Sequence, residues 1–274
     1  MWVMNEQSIA KRANLWPLPS LQSSVFELDA QYYVSGQTFA NSVAAPADSS
    51  AQSAYDFFLG STSGAASDDP AFTSAGSASY FSFDGGDFLT LAAGATSTTF
   101  LKGLHKTGAT FSIEVWFYYP GSGAAGSSFF DSGTSDQGGS DTSRGIIYTC
   151  TDPAGQQLRV KQDSSGVNAL TQTASASFST GIHMAGISYA ANGTSFFYRD
   201  GAYDQVSGSN TFTATLTSAG TSNPVNPPRI GTRGDGIVAF VPNGTRLYRL
   251  ALYNTALAKS EFDLLWSTHS SRFL

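Results

Sequence analysis

From residue 77 to the C-terminus, short apolar or alternating segments recur at close spacing: SYFSF, FLTLAA, TFSIEVWFYY, SSFFDS, GIIYT, QLRVKQ, IHMAGISYA, TSFFYRD and RLYRLALY. Alternation with a period of two sends successive side chains to opposite faces, so each segment can bury one face of a sheet. Turn signals separate the segments: DGG at 84–86, PGSG at 120–123, DSSG at 163–166, ANG at 191–193 and RDG at 199–201. Asn-Gly and Asp-Gly supply the positive φ that tight hairpins require. Strands this short, with turns this close, predict an all-β sandwich or barrel. Only the last stretch changes period. ALAKSEFDLLW spaces Leu257, Glu261, Leu264 and Leu265 as a helix does, with Ser260 near its start. RLYRLALY is therefore expected to be the final strand, and a short C-terminal helix to close the sandwich.

Composition agrees. Of 274 residues 12% are charged, against about 25% in an ordinary soluble domain. Glu occurs only at positions 6, 27, 114 and 261, so good helix formers are scarce. Low charge of this kind is common where a protein packs against neighbours, and also in secreted β proteins. The net charge of −6 and the lack of a basic stripe, Lys11-Arg12 being the nearest approach, exclude a duplex nucleic-acid partner. They also disfavour an anionic membrane surface. No apolar run reaches 18 residues, so no membrane insertion is expected. The N-terminal MWVMNEQSIAKRANLWPLPS carries no apolar core of signal-peptide length. The single cysteine, Cys150 in RGIIYTC, excludes an internal disulfide and a Cys-based metal site. A buried strand thiol is its expected state.

Residues 1–76 read differently. NEQSIAKRAN can form one short helix before Pro17 and Pro19. Val25, Leu28, Tyr33 and Phe39 suit one or two short strands, and Tyr55–Leu59 is an apolar knot, able to form an added strand, in an otherwise loop-like stretch over 41–76. Long structureless loops are uncommon inside compact domains. Residues 1–76 are thus expected to be an N-terminal arm that orders against a partner, and residues 77–274 the folded domain.

Four pieces of residues 79–266 carry a family resemblance. They are SYFSFDGGDFLTL, TFSIEVWFYYP, GIHMAGISYAANGTSFFYRDGAYD, and RIGTRGDG followed by NGTRLYRLALYNTALAKSEF. In order and spacing they resemble the concanavalin A-like, laminin-G-like jelly roll. The resemblance implies two antiparallel sheets packed face to face and a short C-terminal helix. It does not fix function, which varies widely on this fold.

Glycosidases of this fold set acidic residues at alternate positions of one strand. The matching strand here holds Glu114 alone, with Trp116 and Tyr118 at i+2 and i+4, whereas glycoside hydrolysis needs two carboxylates roughly 5–10 Å apart. Glu114 is therefore read as an exposed or hydrogen-bonded strand residue. The three histidines, His105, His183 and His269, accompany no GxSxG elbow, and His183 falls where the family often has a structural His or Trp. No phosphate loop is present, since the glycines lie in β turns rather than in a strand-to-helix setting. The chain is expected to be non-enzymatic, with no catalytic residue and no cofactor. Ca²⁺ is the one metal considered, with Asp84, Asp87 and Asp235 as its candidate ligands. Family members often take Ca²⁺ through an Asp in the terminal strand, where this chain has Leu247-Tyr248-Arg249-Leu250. Asx-turn bonding is the preferred reading of Asp84, Asp200 and Asp235. RGDG at 233–236 and the Asn-Gly-Thr sequons at 192 and 243 are read as turns. Sugars stack on exposed aromatics, and 20 Phe and 12 Tyr are enough for a sugar face, although most must fill the sandwich.

The expected function is a structural, decoration or fibre protein of a bacteriophage virion. Residues 1–76 would anchor it to other virion proteins, and the jelly roll would be exposed for stabilisation or adhesion to a host glycan. A homo-oligomer, by analogy a trimer, is implied. The alternative is an extracellular bacterial carbohydrate-binding lectin, followed by a glycan hydrolase.

Overall fold

The computed structural model describes residues 23–94, 97–121, 127–134, 144–152, 155–162, 169–216, 219–236 and 239–274. In chain order the strands among these residues are β1 (Ser24–Asp29), β2 (Thr38–Phe39), β3 (Phe57–Leu59), β4 (Ala71–Thr73), β5 (Tyr80–Ser82), β6 (Leu89–Leu91), β7 (Thr110–Tyr119), β8 (Phe130–Asp131) and β9 (Gly145–Asp152). They continue with β10 (Gly155–Lys161), β11 (Leu170–Thr173), β12 (Gly181–Ala190), β13 (Thr194–Arg199), β14 (Ala202–Asp204), β15 (Phe212–Thr213), β16 (Arg229–Ile230) and β17 (Arg246–Tyr253). Two α-helices accompany them, α1 (Thr99–Gly103) and α2 (Lys259–Phe273).

The strands form two antiparallel sheets. One runs β14-β13-β12-β7-β17-β5-β4, with β1 also paired to β17 and β15 to β13; the other runs β11-β10-β9-β8-β16-β6-β3-β2. The long alternating segments lie at the centre of the first sheet, where β7 pairs with β12 over its whole length, Thr110 opposite Ala190 through Tyr119 opposite Gly181. Phe111, Ile113, Val115, Phe117 and Tyr119 of β7 turn inward and meet Ile146, Tyr148 and Cys150 of β9 in one buried core. Removing a side chain of this size from water stabilises the fold by roughly 1.5–3 kcal/mol, so this layer is what holds the two sheets together.

The other face of β7 is buried as well, because α2 lies across it. Phe262, Leu265 and Phe273 of the helix pack with Trp116, Met184, Tyr198 and Tyr253. Gly186 makes this docking feasible: a Cβ there would lie 2.4 Å from Phe262 Cε1. Trp116 and Trp266 stack with centroids 5.2 Å apart and planes 8° from parallel. The helix expected from the C-terminal periodicity is present, and it covers a sheet face. The hairpin turns also take the expected form, with φ of 58° at Asn192, 48° at Asp200 and 88° at Gly244.

The boundary at residue 77 does not mark the edge of the packed core. β1 pairs with β17, Leu28 opposite Leu250, and β3 pairs with β6, Phe57 opposite Leu91. Val25, Phe26, Leu28, Phe39, Tyr55, Phe57 and Leu59 are all buried in the inter-sheet core. The loop between β2 and β3 is tied by Asn41, which is 1% exposed. Its Oδ1 accepts from Glu27 N at 3.0 Å and its own N–H donates to Asp56 Oδ1 at 2.8 Å. Strands β2 to β4 have two or three residues each, too few for a period of two to show in sequence. The helix expected over NEQSIAKRAN and the turn at 163–166 lie outside the described residues.

Candidate functional site

The outer face of the nine-stranded sheet carries α2, which packs on Trp116, Met184 and Tyr198. Cross-strand partners point to the same face, so the pairing register reads out a row across the outer face of the eight-stranded sheet: Arg159, Ile147, Asp131, Arg229, Thr90 and Phe58, of which Ile147, Asp131 and Thr90 are buried and the other three partly exposed. Their chain neighbours Leu158, Ile146, Phe130, Ile230, Leu89 and Phe57 belong to the inter-sheet core, which confirms that the row faces away from it.

Asp131 anchors the loops over this face. Its carboxylate is fully buried and accepts from Gly133 N at 2.7 Å, from Thr134 N at 2.6 Å and from the Thr134 hydroxyl. Burial pushes its carboxyl up to about 6, against the opposing pull of the hydrogen bonds from Thr134, Gly133 and Gly234. Gly133 has φ 107°, and a Cβ there would fall 2.2 Å from Asn226 O. Asn226 Nδ2 in turn donates to Thr134 O at 3.2 Å. Segments 132–134, 224–226 and 233–236 are thereby knitted together beside the row.

Arg229 is the exceptional member. Its guanidinium lies over the Phe88 ring, 5.0 Å from the centroid, and is pressed against Gly236, where a Cβ would meet Nη1 at 1.4 Å. Burial lowers its pKa, partly offset by the field of Asp235, Asp131 and Asp68. Its Nε and Nη1 are buried without a hydrogen-bond partner. Asp131 is engaged by its loop and Asp235 Oδ2 by Arg233 at 2.8 Å, while Asp68, whose field also acts on Arg229, and Thr90, its cross-strand partner, each keep a buried side-chain oxygen without a partner. An unmade hydrogen bond at a buried donor costs roughly 1–3 kcal/mol. Phe240, half-buried, lies 6.1 Å from Phe88.

The residues singled out in the sequence are scattered. Asp84 Oδ1 accepts from Gly86 N at 2.8 Å, as an Asx turn does, and Asp87 Oδ2 accepts from Asp84 N at 2.8 Å. Burial raises the Asp87 carboxyl to about 6. Asp235 belongs to the turn in which Gly236 N donates to Arg233 O at 2.8 Å. Among the described residues no three His, Cys, Asp or Glu side chains gather in a way that could hold a metal ion. Asp200 departs from the Asx-turn expectation. The β12–β13 hairpin sets it opposite Met184, so Oδ1 accepts from Met184 N at 2.8 Å and Oδ2 pairs with His183 Nδ1 at 2.7 Å. His183 Nε2 and His105 Nε2 bond the main-chain carbonyls of Ser179 and Ser222, not serine hydroxyls. The Cys150 thiol is fully buried, and burial raises its pKa well above the ordinary value.

Glu114 is neither exposed nor in an open cleft. It lies beneath α2, ion-paired with Arg249, and accepts from Trp116 Nε1 at 2.9 Å and Tyr253 Oη at 2.8 Å. Sequence reading missed Arg229, Arg249 and Arg246. The one available signal was a cation at an alternating position of an apolar strand, as in PPRIG and RLYRLALY.

No family model matches the chain, and no curated protein matches it in sequence. Solved structures do match in fold. Trypanosoma rangeli sialidase in complex with sialic acid is 15% identical with a TM-score of 0.56, over 92% of this chain and 34% of that one. Domain 4 of AbnA, a GH43 extracellular arabinanase from Geobacillus stearothermophilus, in complex with arabinotriose, is 12% identical with a TM-score of 0.54, over 89% of this chain and 98% of that one. The botulinum neurotoxin serotype G binding domain is 11% identical with a TM-score of 0.56, over 90% of this chain and 51% of that one. This chain spans about a third, 33%, of the length of two further Trypanosoma rangeli sialidase structures that it matches. At such identities the likeness is one of fold: a two-sheet, jelly-roll-like β-sandwich.

Proposed function

We propose that this chain is a non-catalytic carbohydrate-binding module on a laminin-G-like sandwich, with the saccharide on the outer face of the eight-stranded sheet beside Arg229. The observation that carries the reading is the fold, a two-sheet sandwich of the kind found in structures held with a sugar. On the outer face of the eight-stranded sheet a saccharide hydroxyl would bond the part of Arg229 that reaches the surface, and half-buried Phe240 would offer a ring to stack on. That two similar structures are held with a sugar, sialic acid in one and arabinotriose in the other, supports the class of ligand. A binding rather than hydrolytic role is supported by the state of the carboxylates: those of Asp131 are committed to their loop, and Glu114 is ion-paired under α2.

The test is a glycan array followed by calorimetry on the strongest hit. Arg229→Gln is expected to weaken binding at least about ten-fold, equivalent to ~1.4 kcal/mol, without release of reducing sugar by either protein. Undiminished affinity in Arg229→Gln, or an array without hits, would overturn the reading. A second proposal places the same module on a bacteriophage particle as a homo-oligomer; the 12% charged composition favours it. Immunogold labelling of lysates should then decorate particles, and bare particles would refute it.

A further inference from the structure

We propose a second saccharide subsite, selective for acidic sugars, on the outer face of the nine-stranded sheet beside the C-terminal end of α2, where Phe273 packs on Tyr248, built from Arg246, Tyr80, Tyr118 and Tyr248. It is separate from the Arg229 site, which faces away on the other sheet. Arg246 opens β17, opposite Tyr118 on β7 and Ser82 on β5. Tyr80, two residues before Ser82, shares the face. The guanidinium is held between two rings, 4.7 Å from the Tyr80 centroid and 4.9 Å from that of Tyr118. Tyr248 closes the third side, edge-on to Tyr80 at 5.6 Å, with its phenol within reach of Arg246. Arg246, Tyr80 and Tyr118 are all half-buried.

What points to a ligand is the missing counter-charge. Arg199, Arg233, Arg249 and Arg272 each hold a carboxylate; among the described residues Arg246 forms no ion pair. The two rings flank the guanidinium from the strands on either side of β17, which leaves the N–H groups directed away from the rings as the donor surface. That planar fork matches the two oxygens of a carboxylate or sulfate, and the stacking already fixes its orientation. Tyrosine hydroxyls beside the fork suit the hydroxyls that flank an acidic group on a sugar ring.

The charge on the whole chain, −6, opposes an anion. Charges further off than a Debye length, about 8 Å at physiological salt, are screened, whereas a contact pair is not. The acidic preference should therefore persist at physiological ionic strength. The Arg229 site differs, since Asp235, Asp131 and Asp68 all act on it and favour an uncharged sugar there.

The experiment compares matched probes on the full chain at pH 7 and physiological salt: oligogalacturonate against the neutral galacto-oligosaccharide, sialyllactose against lactose, and a sulfated heparin fragment against its desulfated form. Calorimetry is expected to show the acidic member of at least one pair binding ten-fold or more tightly. Arg246→Gln should erase that preference, Arg246→Lys should reduce it several-fold by losing the stacked fork, and Arg229→Gln should leave it intact. A readout free of variants is the Arg246 Nε–H resonance, expected to shift on adding galacturonate and to stay put with galactose. No acidic preference in any pair, or a preference that survives Arg246→Gln, overturns the proposal. Loss of neutral-sugar binding in Arg229→Gln with the acidic preference retained separates the two sites.

Discussion

Replacing Arg249 by Met tests the buried ion-pair network that joins β1, β7 and β17 beneath α2. The register sets Glu27, Ala251 and Glu114 side by side across β1, β17 and β7. A bulge in β17 between Leu247 and Arg249 brings the Arg249 side chain, 1% exposed, onto the same face as the two carboxylates. Glu114 is fully buried and pairs with Arg249, and Glu27 Oε2 lies 3.2 Å from Arg249 Nη2. Removing one partner of such a pair leaves an uncompensated charge in low dielectric, which costs about 3–5 kcal/mol. Removing Glu114 and Arg249 together costs less, because their desolvation disappears with their attraction and only Glu27, the partly exposed carboxylate, is left without Arg249. Gln at 114 also keeps an acceptor for Trp116 Nε1. Arg249→Met is thus expected to lower the unfolding free energy by about 3–5 kcal/mol, and Glu114→Gln/Arg249→Met to recover at least ~2 kcal/mol of that loss. Urea titration followed by tryptophan fluorescence measures both, with the slope checked for constancy. A single-variant loss below about 1 kcal/mol, or strict additivity in the double-mutant cycle, would refute the reasoning.

Two further outcomes follow from the same structure. Burial alone would lower the His183 pKa, but the hydrogen bonds to Asp200 and to the Ser179 carbonyl outweigh it and leave the folded value raised. The folded state then holds its proton more tightly than the unfolded state. Its contribution is complete below the unfolded value of ~6.5 and is lost as pH rises through the folded value. The urea midpoint should accordingly fall with rising pH above about 6.5, and His183→Gln should flatten that slope; an unchanged slope would count against the pairing. Gly186→Ala places a methyl 2.4 Å from the fully buried Phe262. An overpacking cost of about 1–3 kcal/mol is expected, together with a weakened near-ultraviolet dichroism from the Trp116–Trp266 stack. Native dichroism and stability in this variant would show that α2 does not pack as described.

How much was legible in the sequence follows the range of each interaction. The period of two in TFSIEVWFYY and IHMAGISYA is local, and so is the Asn-Gly and Asp-Gly chemistry of the turns. These determined the sandwich, its strongest strands and the hairpin geometry at Asn192 and Asp200. The change of period after Tyr253 likewise determined α2. Short strands near Val25–Phe39 and Tyr55–Leu59 were legible, but their place in the sandwich was not, because these pieces pair with strands further along the chain, as Leu28 does with Leu250. Only the tertiary structure decided which cations matter. Arg249 meets a glutamate 222 residues away, Arg229 meets Phe88, and Arg246 meets Tyr80 and Tyr118. Each meeting depends on strand register and on a bulge or glycine at the crossing, and neither leaves a periodic trace in the amino-acid order. Alternation dictates that a residue faces outward; only the packed sheets dictate whether it finds a helix, a counter-charge or an open surface there.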